Sequence, residues 1–198
     1  MIGLFVAVLL LIFSGALFVG RWIVHEPTTN ASETITYNQF VFTKQQDIWA
    51  TQWQHNGKLY ELNLRFNPVE VENVPVIGAL NTSLFNQREV FITFDPNILS
   101  NYKYVALAGG ELGLSLKRAL GREPIFACTT NETTAEACLN SPPVTCDDAD
   151  KGVILIQPAN TTEIHLSANC IVLQGQDLEL VRAADKLLYL WYGIMKRA

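Results

Sequence analysis

The sequence predicts an α+β protein: an N-terminal transmembrane helix, an antiparallel β-hairpin unit, then an α/β sandwich with two main helices and a disulfide-bonded loop. Three observations predict it. Ile2 to Gly20 is a run of nineteen residues without a charge, and at about 1.5 Å per residue such a helix just crosses a hydrocarbon core of about 30 Å. Asn56-Gly57 lies between two alternating segments, the strongest short-range signal for a two-residue hairpin. The C-terminal region reads as a short β-branched strand followed by an amphipathic helix.

The apolar run comes first. Nothing basic precedes it, and Leu17-Phe18-Val19 continues it past the small residues Ser14-Gly15-Ala16. Residues 1–20 are therefore expected to stay as a membrane anchor or uncleaved signal. Arg21 and His25 follow, where the positive-inside rule would place cytoplasm. Sequons and cysteines outvote that single arginine. Asn30, Asn81, Asn131 and Asn160 each open an N-x-S/T acceptor without an intervening proline. Cys128, Cys138, Cys146 and Cys170 fall in one stretch with spacing C-x9-C-x7-C-x23-C. An even, clustered count in an exported chain predicts two disulfides, with all three pairings open. The zinc alternative lacks both a C-x2-4-C knuckle and paired histidines. The expected location is a single-pass cell-membrane protein with its C-terminal domain outside the cytoplasm.

All 14 Lys and Arg and all 19 Asp and Glu lie beyond Gly20, a net charge of −5. The absence of a basic stripe argues against a nucleic-acid partner. Residues 21–34 read as a polar tether. Residues 35–198 follow as the extracytoplasmic domain, with a β-unit at 35–67 and an α/β unit at 88–198. In the β-unit, Ile35–Thr43, Asp47–His55 and Lys58–Phe66 read as strands, and Tyr60, Leu62, Leu64 and Phe66 form a period-2 buried face. Pro68 to Asn86 reads as a connection.

In the α/β unit, Glu89–Phe94 and Pro124–Cys128 read as strands around a helix from Ser100 to Leu120. That helix carries an apolar stripe through Tyr104, Leu107, Ala108, Leu112, Leu116 and Leu120. Strand, crossover helix and strand predict a right-handed βαβ unit with parallel strands. Gly109-Gly110 costs this helix up to about 2 kcal/mol relative to Ala-Ala and reads as a close-packing point. Gly121 is expected to cap the helix and Pro124 to stop it. Residues 129–150 form a polar loop. Val153–Gln157, Thr162–Leu166 and Cys170–Gln174 read as strands. Asp177 to Tyr192 reads as a helix, with Asp177 as N-cap and Gly193-Ile194 closing a Schellman motif.

The segments YNQFVFTKQQDIWATQW, REVFITFDP, ACTTNETTAEAC, PPVTCDD and NCIVLQGQDLELVRAADKLLYLWYGI resemble a group of short membrane-anchored, exported archaeal proteins of unassigned function. More distantly, VALAGGELGLSL and IVLQGQDLELVRAADKLL look like domains of some archaeal surface-layer proteins. The resemblance implies a location and supplies no catalytic residue or cofactor.

Candidate site residues are few. Asp147-Asp148-Ala149-Asp150-Lys151-Gly152 starts like a hard-cation loop, with Asp148 and Asp150 as candidate Ca²⁺ ligands. The later ligands and the bidentate Glu are missing, and the alternative is a solvated turn. Asp95, at the carboxyl end of a strand, sits where open α/β sheets bind ligands. Asp95, Glu111 and Asp177 are the candidates for a carboxylate-lined cleft. Glu111 and Asp185 read either as inward carboxylates or, the favoured reading, as surface pairs with arginine or lysine, Arg182 and Lys186 lying close to Asp185. No GxSxG, HExxH or Cys-His arrangement and no cofactor motif is present. The expected role is structural or protein-interaction work at the cell surface. The bilayer would hold residues 2–20, and the partner would be a protein or a second copy. The alternatives are a small-ligand-binding or hydrolytic ectodomain and a filament subunit.

Overall fold

In the computed structural model, residues 32–98 and 102–197 are described. The anchor of residues 2–20, most of the tether and the acceptor Asn30 lie outside them. Among the described residues, no helix is long and apolar enough to cross a membrane.

Two hairpins build the first sheet. Strands β1 (Thr34–Tyr37), β2 (Phe40–Gln45), β3 (Ile48–His55) and β4 (Lys58–Leu64) lie in sequential antiparallel order. Asn56 and Gly57 both have positive φ, 50° and 75°, as a type I′ turn requires, and register begins at His55↔Lys58. The segment expected as one strand, Ile35–Thr43, folds back on itself at Asn38-Gln39, with φ of 44° and 73°. The side-chain amide of Asn38 donates to the Ile194 carbonyl at 3.0 Å, which ties this turn to the chain after the last helix.

The connection expected from Pro68 to Asn86 holds more structure than its prolines suggested. Asn67 caps helix α1 (Pro68–Val71) in a full capping box with Glu70, and Pro68 occupies the first turn. Strand β5 (Val76–Gly78) and helix α2 (Thr82–Phe85) follow.

The second sheet contains six strands in the order β5-β9-β10-β8-β6-β7. Here β6 is Glu89–Phe94, β7 Glu123–Cys128, β8 Val153–Pro158, β9 Glu163–Ser167 and β10 Cys170–Gly175. Strands β10, β8, β6 and β7 run parallel, whereas β9 is antiparallel to β10 and β5 parallel to β9. Helix α3 (Tyr102–Arg118) makes the expected βαβ crossover between β6 and β7. Helix α5 (Leu178–Trp191) follows β10.

The strands alternate between two cores. Ile92, Ile154, Ile156, Ile171 and Leu173 face the helices, while Val153, Cys170 and Ala127 face the cysteine loop. Disulfides Cys128–Cys138 and Cys146–Cys170 clamp that loop, with its short helix α4 (Glu136–Leu139), onto the sheet. Thr93 donates from Oγ to the Val144 carbonyl at 2.8 Å beneath it. Residues 32–198 form one compact unit.

Helix α5 lies in the middle of this unit. Phe42 packs edge-on against Tyr189 at 5.7 Å, and the Trp53 indole N–H donates to the Tyr192 carbonyl at 2.8 Å. The first sheet thus covers the side of α5 away from the second, and residues Leu180, Val181 and Ala183 through Tyr189 are all buried. The helix ends as expected: Gly193 N–H bonds the Leu190 carbonyl and Ile194 N–H that of Tyr189, with Gly193 at φ 69°. Its start corrects the expectation. Asp177 makes no side-chain cap and has φ 53°, because the chain must turn sharply out of β10 there.

That turn depends on a close approach. A Cβ at Gly175 would lie 2.7 Å from the Glu179 carbonyl carbon and 2.8 Å from the Leu180 nitrogen, backbone that cannot swing aside. Gly175→Ala is expected to cost about 2–3 kcal/mol by pushing α5 off the sheet. Gly110→Ala, which meets nothing within 4 Å in α3, should add up to about 1 kcal/mol. Urea unfolding of both variants, compared at equal slope, measures the contrast.

Candidate functional site

The outward face of the first sheet carries a broad, shallow groove. Strand alternation sends Trp49, Trp53, Leu62 and Leu64 inward. The same alternation sends Val41 and Thr43 of β2, Ala50, Gln52 and Gln54 of β3, and Leu59, Glu61 and Asn63 of β4 outward. Register aligns Thr43 with Ala50 and Asn63, Gln52 with Glu61, and Gln54 with Leu59. Ala50 leaves a hollow between longer neighbours, and the result is a groove of about 640 Å³. Amides and two threonines line it, Glu61 is its one charged residue, and Val41 and Leu59 are 58% and 59% exposed.

A second concavity opens at the carboxyl ends of β6 and β7. Phe94, Tyr102, Phe126, Cys128 and Ala137 wall a crevice of about 300 Å³. Helix α3 comes close to β7 because Gly109 and Gly113 face it. A Cβ on Gly109 would touch Phe126 at 3.5 Å, and one on Gly113 would reach it at 2.7 Å. The expected close-packing point is therefore Gly109 with Gly113, while Gly110 opens onto the crevice.

The carboxylates go elsewhere. Asp95 folds into its own turn, its Oδ1 accepting from Asn97 N–H at 2.9 Å. Asp177 stands at the entry to α5. Glu111 points from α3 toward α5, where its carboxyl neighbours that of Asp185. The structure does not bring Asp95, Glu111 and Asp177 together, and none of them lines either concavity.

Glu111 and Asp185 correct the surface-pairing reading. Asp185 is completely buried, and its Oδ2 accepts from the backbone N–H groups of Arg65 and Phe66 at 3.0 and 2.8 Å. Its Oδ1 and Glu111 Oε2 have no donor, and a proton held between the two carboxyls would satisfy both. Arg65 Nε lies 3.0 Å from Glu111 Oε1 as an ion pair, without the alignment of a hydrogen bond. Burial raises the Asp185 carboxyl well above the carboxylate range, and the neighbouring Glu111 charge adds to it. Burial also raises Glu111, against the pull of Asp185 and Arg65. Burial likewise lifts the Tyr189 hydroxyl, which donates to the Phe66 carbonyl at 2.7 Å.

Arg182 and Lys186 do not pair with Asp185. Arg182 reaches the Glu70 carbonyl, Asn73 and Glu179, and Lys186 Nζ donates to the Glu72 carbonyl at 2.9 Å. Both hold the segment after α1 onto α5. The whole cluster joins sheet to helix.

Asp148 accepts from Thr145 N–H and pairs with Lys151, which is the solvated-turn arrangement. Among the described residues, no three His, Cys, Asp or Glu side chains gather as a metal set. The acceptors Asn81, Asn131 and Asn160 are exposed. His55 stacks on Trp53 at 4.9 Å, and His165 lies 2.9 Å from Glu163. The outward amide face was legible as the polar half of the period-2 pattern; the hollow at Ala50 was not. Compared with known protein families, curated proteins and solved structures, the chain matches none.

Proposed function

We propose that this protein is a membrane-tethered extracytoplasmic domain with a structural or protein-interaction role at the cell surface, and that the outward face of the first sheet receives its partner. The observation that carries the reading is the composition of that face: exposed apolar Val41 and Leu59, neutral amides and one charge at Glu61. Interface centres are depleted of charge in the same way. The buried Glu111–Asp185 pair supports an interaction role over hydrolysis, because Asp185 has no surface for a substrate to reach.

Two disulfides support the exported location. Three exposed sequons and the apolar segment 2–20 are consistent with a glycosylated, anchored domain. The resemblance to short membrane-anchored, exported archaeal proteins supports the same reading.

The test is site-specific photo-crosslinking of the full chain in native membranes. A probe at Gln52 is expected to give a discrete adduct with a protein or a second copy, and a probe at exposed Leu139 to give none. Adding Leu59→Lys should abolish the Gln52 adduct while changing stability by no more than about 0.5 kcal/mol. Equal labelling from both positions, or an adduct indifferent to Leu59→Lys, would refute the assignment. Recovery of the chain from the soluble fraction would refute the anchor.

A further inference from the structure

A third cavity lies where the β3–β4 hairpin, the end of α3, α2 and the end of α5 meet. Its volume is about 270 Å³, at the small end for a ligand pocket. Phe85, Leu80, Leu116, Leu120 and Trp191 make its apolar wall, with the Phe85 and Trp191 rings in contact at 6.1 Å. The polar lining is Arg122, His55, Thr82 and Asn86, with no carboxylate.

Among the described residues, Arg122 is one of several cations without a carboxylate partner, Lys186 and Arg197 being others held by backbone carbonyls. Lys44, Arg65, Lys117, Lys151 and Arg182 each have a carboxylate partner. Arg122 is held by neutral acceptors instead, Nε donating to the Phe85 carbonyl at 3.2 Å and one terminal nitrogen to Asn86 Oδ1 at 3.3 Å. These bonds fix the guanidinium at the cavity mouth and leave its charge uncompensated there. Its sequence neighbour Glu123 is taken by Lys117. An immobilised guanidinium beside an apolar wall, with a histidine in the same lining, is complementary to a carboxylate attached to a small apolar body.

We infer that this cavity binds a small amphiphilic carboxylate, its apolar body against Phe85 and Trp191 and its carboxylate on Arg122. At about 30 Å³ per water-sized group the space takes about nine of them, the size of an aromatic monocarboxylate. The site is separate from the outward sheet face and does not depend on the role proposed for it.

The test uses the full chain in lipid nanodiscs with sodium benzoate as probe, followed by ligand-observed NMR and calorimetry. Saturable benzoate binding is expected, with benzyl alcohol and acetate each at least tenfold weaker and benzamidine not binding. Arg122→Gln should weaken benzoate at least tenfold and leave benzyl alcohol unchanged. Leu120→Trp, which fills the cavity and keeps Arg122, should abolish both and control for folding when circular dichroism is unchanged. Benzamidine binding as well as benzoate, benzoate indifferent to either variant, or no saturable binding would each overturn the site.

Discussion

Asp185→Ala is expected to cost about 3–5 kcal/mol of folding stability, whereas Asp185→Asn should cost little more than about 1 kcal/mol and remove a pH dependence. Alanine strands the Arg65 and Phe66 N–H groups that Asp185 Oδ2 receives, in an interior where each unmet donor costs about 1–3 kcal/mol. It also leaves Glu111 without its partner beside Arg65. Asparagine keeps the acceptor and offers Glu111 an N–H in place of the shared proton. The sign of the pH effect follows from both carboxyls being raised in the fold. The native state then holds a proton that the unfolded chain releases near pH 4. Stability from this pair is complete below that point and is lost as pH rises toward the folded value, by at most about 1.4 kcal/mol per pH unit. The partly buried carboxyls of Glu123 and Asp148 are lowered by their hydrogen bonds to Lys117 and Lys151, and that of Glu163 by its hydrogen bond to His165, so the effect of these carboxyls lies below about pH 4.5. Thermal unfolding should thus give a higher midpoint at pH 5 than at pH 7.5 in the native protein and a flatter profile in Asp185→Asn. A native midpoint that rises from pH 5 to 7.5 would exclude the shared proton.

Removing the Cys146–Cys170 bridge, as Cys146→Ser with Cys170→Ser, is expected to cost about 3.5 kcal/mol. Loop entropy for a sequence separation of 24 supplies that figure, against about 2.8 kcal/mol for the separation of 10 at Cys128–Cys138. In the Cys146–Cys170 bridge, Cys170 has no exposed surface and packs with Val144, Val153 and Ala127. In a domain of this size the loss lowers the melting midpoint by about 10 °C. Hydrogen exchange should show the change centred on residues 129–152, with α5 and the first sheet still protected, because these lie on the other face of the six-stranded sheet. Alkylation of the native chain is expected to label no thiol before reduction and four after it. Uniform loss of protection would show instead that the loop is part of the main core.

Elements with a local cause were legible. Asn56-Gly57 set its own hairpin, Gly193 its own helix end, and the period-2 run in β4 its own buried face, each through interactions within a few residues. Misread elements had weaker local signals. Asn38-Gln39 turns at positive φ without a glycine, and its amide is held by Ile194, distant in sequence. The capping box Asn67 to Glu70 was present in the sequence but masked by prolines that suggested a connection. Asp177 precedes a helix as a cap would, yet the close contact at Gly175 turns the chain away from cap geometry.

The candidate sites divide along the same line. Helix carboxylates near arginine or lysine normally pair at a surface, and that expectation placed Glu111 and Asp185 in water. Two sheets enclose α5, so there is no water on that side, and Asp185 finds its donors 120 and 119 residues away. Arg122, His55 and Trp191 belong to three different elements and share a cavity only because the first sheet docks on the helices.

By itself, the sequence determined most of the strands, the two long helices, the even set of clustered cysteines and the apolar segment before the domain. Periodicity, turn chemistry and composition act over a few residues. The tertiary structure alone decided which cysteines pair, which carboxyls lose their solvent and which arginine lines an apolar cavity. Desolvation depends on what covers a side chain, and here the cover comes from the far end of the chain.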